Sequence, residues 1–320
     1  MTRKIVSLLA SGALLMPVAA GHGVAATSVL KAPPATAATT RPAPTATVRK
    51  AAFGAAAKSE IAYGGHALQR MDFYPGASAT PGTPLPTIVF VHGGAWAGGD
   101  KSDSTGAAKI RHYTEAGYNL VSVNYRLLPE VAIEDQAADL AAAVDDLLAN
   151  AKTLGIDRRR VVLMGHSAGA HLSALVATDP ALMKARGRNP QDIAGVVLLD
   201  GPAYDVPEQI ADVGPLIGFG FQVAFGGRVG RQRALSPASH VDTPNAARFL
   251  LLHVERPDST RQARIFADDL TRAGVDAQVM AFPGRGMDGH NMLNAMLGRS
   301  DSPATVPVDK WLAETFRRAG

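Results

Sequence analysis

The sequence predicts an α/β fold in which a mostly parallel central sheet is flanked by helices and carries a small cap or loop insertion. Three observations carry that expectation. Branched apolar runs alternate with segments of helical periodicity, in the order strand, helix, strand, helix. The runs are near-continuous in apolar character, the mark of strands buried on both faces. The chain's 320 residues, 47% of them hydrophobic, suffice for one large domain with a sizeable core.

Taken in order, "IAYGGHALQRMDFYPG" from Ile61 reads as two short strands around a turn, "TIVFVHGG" (Thr87–Gly94) as a buried strand, and "NLVSVNYRL" (Asn119–Leu127) as another. Between Ile133 and Ala151, the residues Ala137, Leu140, Ala141, Val144, Leu147 and Leu148 recur at helical spacing, and Gly155 supplies a stop. The alternation continues through "RVVLMG", a helix from Ala168, "IAGVVLLD" (Ile193–Asp200) and "RFLLLHV" (Arg248–Val254). A helix over 262–273, the strand "AQVMAF" and a last helix with Trp311 and Phe316 complete the pattern. Between Tyr204 and Leu235 a short insertion carries Ile217, Phe219, Phe221 and Phe225. It either lines a pocket or covers the sheet, and it is too short for a large lid.

The N-terminus reads differently. Residues 1–26 have a basic start, an apolar run from Ile5 to Ala20 and small residues at two cleavage points, after Ala20 and after Ala26, the pattern of a secretory signal peptide. The run is short for a bilayer span and is broken by Ser11, Gly12 and Pro17, so no membrane span is expected after cleavage and the product is expected to be periplasmic or extracellular. Residues 27–57, rich in Ala, Thr and Pro, are expected to form a disordered tether, leaving 58–320 as the folded domain. Of 32 Lys and Arg against 28 Asp and Glu, six basic residues lie within the first 50 positions, before any acid, so the domain itself is near neutral and offers no footprint for nucleic acid. The chain has no cysteine, hence no disulfide and no thiol for a lipid anchor.

The chemistry concentrates at Gly165-His166-Ser167-Ala168-Gly169, a GxSxG that follows a strand and opens a helix. A strand-to-helix turn this sharp exposes the serine oxygen on a strained backbone, and side chains at 165 or 169 would collide with the neighbouring strand and helix. Ser167 is therefore the expected nucleophile. "VHGGAWAGG" (Val91–Gly99) ends an earlier strand with two glycines whose amides, with that of Ala168, can hold a developing oxyanion. Trp96 beside them is expected in the substrate pocket, with His166. Of nine histidines, His290 follows the last strand in a glycine-rich stretch and opens a helix, which makes it the expected base. Two acids, Glu255 and Asp258, follow the strand "RFLLLHV", and either can orient an imidazole; Asp258 is also suited to capping a helix.

With those residues in view, "HGGAW", "SVNYRLLPE", "GHSAGAHL" and the strand, acid and histidine order resemble the α/β-hydrolase superfamily, in its bacterial carboxylesterase and kynurenine-formamidase-like branch. The resemblance runs from about Ile61 to the C-terminus. It implies Ser167 as nucleophile, His290 as base and the amides of Gly93, Gly94 and Ala168 as oxyanion donors. Counted back from Arg261 and Gln262, it places the acid at Glu255, where relatives usually carry Asp, and that departure keeps Asp258 open. The implied activity is cofactor-free hydrolysis of short-acyl carboxylic esters, with a formamidase acting on small aryl formamides as the alternative. A binding protein that has lost activity is the reading from another class. No His, Asp or Glu cluster has metal-ligand spacing, and no phosphate loop or dinucleotide fingerprint is present.

Overall fold

A computed structural model describes residues 58–320 apart from positions 79 and 81. The segments read as signal peptide and tether lie outside the described residues.

Eight strands form one sheet: β1 (Ser59–Ala62), β2 (Arg70–Tyr74), β3 (Leu85–Val91), β4 (Asn119–Val123), β5 (Ile156–His166), β6 (Gly195–Leu199), β7 (Arg248–Glu255) and β8 (Asp276–Arg285). Their order is β1-β2-β4-β3-β5-β6-β7-β8. The first two are antiparallel and the others parallel. The helices are α1 (Ala107–Glu115), α2 (Ile133–Ala149), α3 (Ala151–Leu154), α4 (Ala168–Thr178), α5 (Pro180–Lys184), α6 (Val206–Asp212), α7 (Gly214–Phe225), α8 (Val229–Ala234), α9 (Pro257–Arg272), α10 (Gly286–Met296) and α11 (Thr305–Ala319).

The apolar runs of β3, β4, β5 and β6 are buried on both faces because helices cover both. Val89 and Val91 pack with Leu140 and Leu147 of α2, Leu172 of α4 and Phe266 of α9. Ile88 and Phe90 face the other way, among Tyr113 of α1, Leu293 of α10 and Trp311 and Phe316 of α11. The two-residue period of a strand thus splits the core into two layers.

Gly155 stops α3 in a left-handed conformation, φ 66°, as the sequence suggested. The expected insertion folds as α6, α7 and α8. Two details differ from expectation. His290 does not open its helix but lies inside α10, which already starts at Gly286, because the glycine-rich stretch coils into its first turn. Asp258 is not an N-cap: Arg256 holds that position, Pro257 opens α9, and Asp258 sits in the first turn, where a negative charge favours the helix dipole.

Candidate active site

The sheet places the site at the C-terminal ends of β3, β5 and β6, where the backbone is most strained. Five non-glycine residues among those described have positive φ: Ala95 and Trp96 after β3, Ser167 after β5, Asp200 and Ala203 after β6. Such conformations cost about 1–3 kcal/mol each and persist only where the surroundings over-determine them.

Ser167 sits at φ 55° and ψ −122°, with its amide donating to the Leu199 carbonyl of β6 at 3.0 Å. The flanking glycines are sterically required. A Cβ on Gly165 would come 2.3 Å from the Gly169 carbonyl oxygen, and one on Gly169 2.2 Å from that of Val91. One turn thereby packs directly on its own helix and on β3.

The loop after β3 is pressed on the serine, since a Cβ on Gly93 would stand 2.8 Å from Ser167 Cβ. The stretch "SVNYRLLPE" holds this loop. Tyr125 donates to the His92 carbonyl at 3.0 Å and stacks on its ring, centroids 4.4 Å apart. Asn124 accepts from the Lys101 amide and donates to Asp100, while the Leu128 amide and the Gln136 side chain both donate to the Trp96 carbonyl. Trp96 itself is buried, edge-on to Phe225 at 4.9 Å and to Phe221 at 5.8 Å, both from α7, and donates from Nε1 to His171. The insertion thus has an inner face packed against Trp96 and an exposed outer face.

His290 is buried, and its Nδ1 lies 2.7 Å from Oδ2 of Asp200 at the end of β6. Here the structure corrects the sequence reading of the acid. Glu255 is exposed and pairs with Arg285 at 2.6 Å. Asp258 pairs with Arg256 at 3.1 Å and accepts from Gln209. Neither is bonded to the imidazole. The physical reason is that Arg256 occupies the space between that loop and His290, its Nη1 standing 2.8 Å from Asp200 and 2.9 Å from His290 Nδ1. Asp200 also accepts from Ser259 Oγ at 2.5 Å and the Val254 amide at 3.2 Å. Burial by itself raises a carboxyl, but the hydrogen bond from His290 and the Arg256 charge outweigh it and hold Asp200 down at about 2. Asp200 is thus a carboxylate at neutral pH. Sequence reasoning counted it as the last residue of a strand; an acid ending the apolar strand next to the nucleophile's, followed by Gly201-Pro202, was the available signal.

His166, expected to line the pocket, is instead buried behind the base. It lies 4.3 Å from the His290 ring, centroid to centroid, with Nε2 3.1 Å from the His290 carbonyl. Burial, then the neighbouring His290 and Lys109, hold its imidazole well below the usual range, so it is neutral. The other histidines serve structure: His112 meets Asp309, His171 bonds the Leu235 carbonyl and His240 that of Ala234. Among the described residues no group of three or more His, Asp or Glu is arranged to hold a metal ion.

The order of the strands, the strained serine between β5 and α4 and the histidine after β8 define the α/β-hydrolase fold. Comparison with known proteins agrees. The family model BD-FAE matches residues 71–201, from β2 through Asp200. The chain is similar to esterase LipC of Mycobacterium tuberculosis, 29% identical over 81% of this chain and 66% of the relative. It is also similar to the isoprenylcysteine alpha-carbonyl methylesterase ICME of Arabidopsis thaliana, 31% identical over 43% of this chain and 31% of the relative. The chain thus spans 31% to 66% of these relatives' length. Among solved structures, the butyrate-bound Est2 esterase of Thermogutta terrifontis superposes with a TM-score of 0.62 at 23% identity, covering 77% of this chain and 88% of that one.

Proposed function

We propose that the chain is a serine carboxylesterase that cleaves short-acyl esters through Ser167, His290 and Asp200. The observation that carries this reading is a strained serine at φ 55° after β5 and, after the adjacent β6, an ionised Asp200 bonded at 2.7 Å to the buried His290 of α10. In the mechanism His290 Nε2 takes the proton from Ser167 Oγ as that oxygen attacks the ester carbonyl. Asp200 holds Nδ1–H, which fixes the tautomer with a free Nε2 lone pair and stabilises the imidazolium that forms. The amides of Gly93, Gly94 and Ala168 hold the oxyanion. His290 then protonates the departing alkoxide, and water, activated by the same imidazole, releases the acid from the acyl-enzyme.

Short acyl groups follow from Trp96, Phe221 and Phe225, whose rings crowd the region beside the oxyanion loop. A relative of the same fold has been solved with butyrate bound. The signal-peptide pattern of residues 1–26 supports export to the periplasm or beyond, which argues against an intracellular aryl formamide as the natural substrate.

Purified protein assayed on p-nitrophenyl esters is expected to show kcat/KM highest from acetyl to butyryl and falling steeply by octanoyl. A maximum at long chains, or kcat/KM on N-formylkynurenine tenfold above every short ester, would sink this choice of substrate. Failure of a serine-directed organophosphate to label Ser167 in active protein would sink the mechanism.

A further inference from the structure

The mechanism uses the inner face of α7 and leaves its outer face unexplained. That helix, "GPLIGFGFQVAF", carries Gln222 as its single polar side chain and no charge. Phe221 and Phe225 turn inward to Trp96, while Leu216, Ile217, Phe219 and Val223 are between 51% and 65% exposed, joined by Val229 at the start of α8. Leu216, Phe219 and Val223 recur at helical spacing, so they form one stripe. A helix that is hydrophobic on nearly every side belongs in a core or at a membrane. This one is half in water.

The surrounding charge indicates what covers it. From Val213 to Val241 the chain has no Asp or Glu and three arginines, Arg228, Arg231 and Arg233. Arg231 pairs with Glu134, whereas Arg228 and Arg233 are exposed and have no ion-pair partner among the described residues. An apolar stripe bordered by unneutralised arginines matches a bilayer surface with anionic head groups, where each Lys or Arg near the surface adds about 1 kcal/mol. A second copy of the chain fits less well, since five side chains fall far short of the ~800 Å² per partner that a stable protein interface buries. No described helix is long and apolar enough to cross a membrane, so the contact is peripheral.

We propose that the outer face of α7, with Arg228 and Arg233, docks the protein on an anionic lipid surface. The docked face is the back of the wall beside Trp96, so the protein is held where esters partition out of water. Because the stripe points away from Trp96, docking localises the site without gating it.

The test is co-sedimentation of the full chain with vesicles of phosphatidylcholine alone or with phosphatidylglycerol, read as bound fraction. The same N-terminal residues are present in every sample and cancel in the comparison. The expected result is binding that is stronger with phosphatidylglycerol, falls with salt, and drops at least tenfold in the double variant L216S/F219S. Turnover of soluble p-nitrophenyl acetate should not change in that variant, which separates this proposal from the esterase reading. R228S/R233S should lose the preference for phosphatidylglycerol. Equal binding by wild type and L216S/F219S, no binding by wild type, or a concentration-dependent dimer in light scattering that L216S/F219S abolishes would each overturn the proposal.

Discussion

The turn after β5 and the acid pocket after β6 stand side by side in the sheet, yet they are built over different distances along the chain. At the first, much of the geometry is set between residues four apart, Gly165 against the Gly169 carbonyl, with β3 closing on Gly169 at Val91. At the second, Asp200 is held by Val254, Arg256, Ser259 and His290, which lie 54 to 90 residues away. The proposed nucleophile is thus placed largely by short-range sterics, and its proposed acid by what the tertiary fold delivers to it.

The largest effect tests the local half. Ser167→Ala keeps the backbone of the turn and removes the attacking oxygen, so turnover should drop on the order of 10³-fold or more with the thermal melt unchanged. Near-full activity in that variant would show that the strained turn serves only structure.

Next comes the distant half. Asp200→Asn should lower kcat by roughly 10²- to 10⁴-fold, because Nδ1–H loses its carboxylate, whereas Glu255→Gln should leave kcat within about twofold, since an exposed pair with Arg285 contributes at most ~1 kcal/mol. The opposite pattern in paired kinetics would return the role to the loop after β7.

The steric argument can be sharpened in stability. Gly169→Ala puts a methyl 2.2 Å from the Val91 carbonyl oxygen and should cost about 3 kcal/mol in denaturant unfolding. Gly65→Ala, where nothing lies within 4 Å, should stay within about 0.5 kcal/mol. Similar losses at both positions would mean that the cost at Gly169 does not come from its contact with Val91.

The smallest effect concerns how α10, which carries His290, is held to the sheet. Lys109 of α1 is buried over the Phe90 ring and donates to the Asn294 carbonyl of α10. Burial lowers its ammonium from 10.5 to about 7. Between those values the unfolded chain binds a proton that the folded one does not, so stability should rise as pH goes from about 7 to 10.5 and be flat below. Lys109→Met should abolish that slope and stabilise the protein at neutral pH by about 1–3 kcal/mol, as replacement of a buried charge by an apolar side chain often does. A slope that persists in the variant would assign it to another group.

What the sequence determined by itself is what neighbours in the chain decide. The periodicities of strand and helix rest on the alternation within one element and were readable, and so were the glycines at 165, 169, 93 and 94, because Gly165 meets Gly169 and Gly94 meets Gly98 within one turn, while Val91 and Ser167 complete the crowding at Gly169 and Gly93. The position of His290 after the last strand was readable too, and the structure brings it to Asp200. The acid was not. Glu255 and Asp258 followed the expected strand, but Arg256 between them turns toward the imidazole and Asp200 comes from the next strand over, a choice made by side chains up to 90 residues apart. His166 was misplaced for the same reason: which side of the base it occupies is fixed by how α10 packs on β5, not by the residues around it. Tertiary structure alone also split the insertion into one face against Trp96 and one in solvent, because a helix apolar on nearly every side carries little record in its sequence of which side is buried.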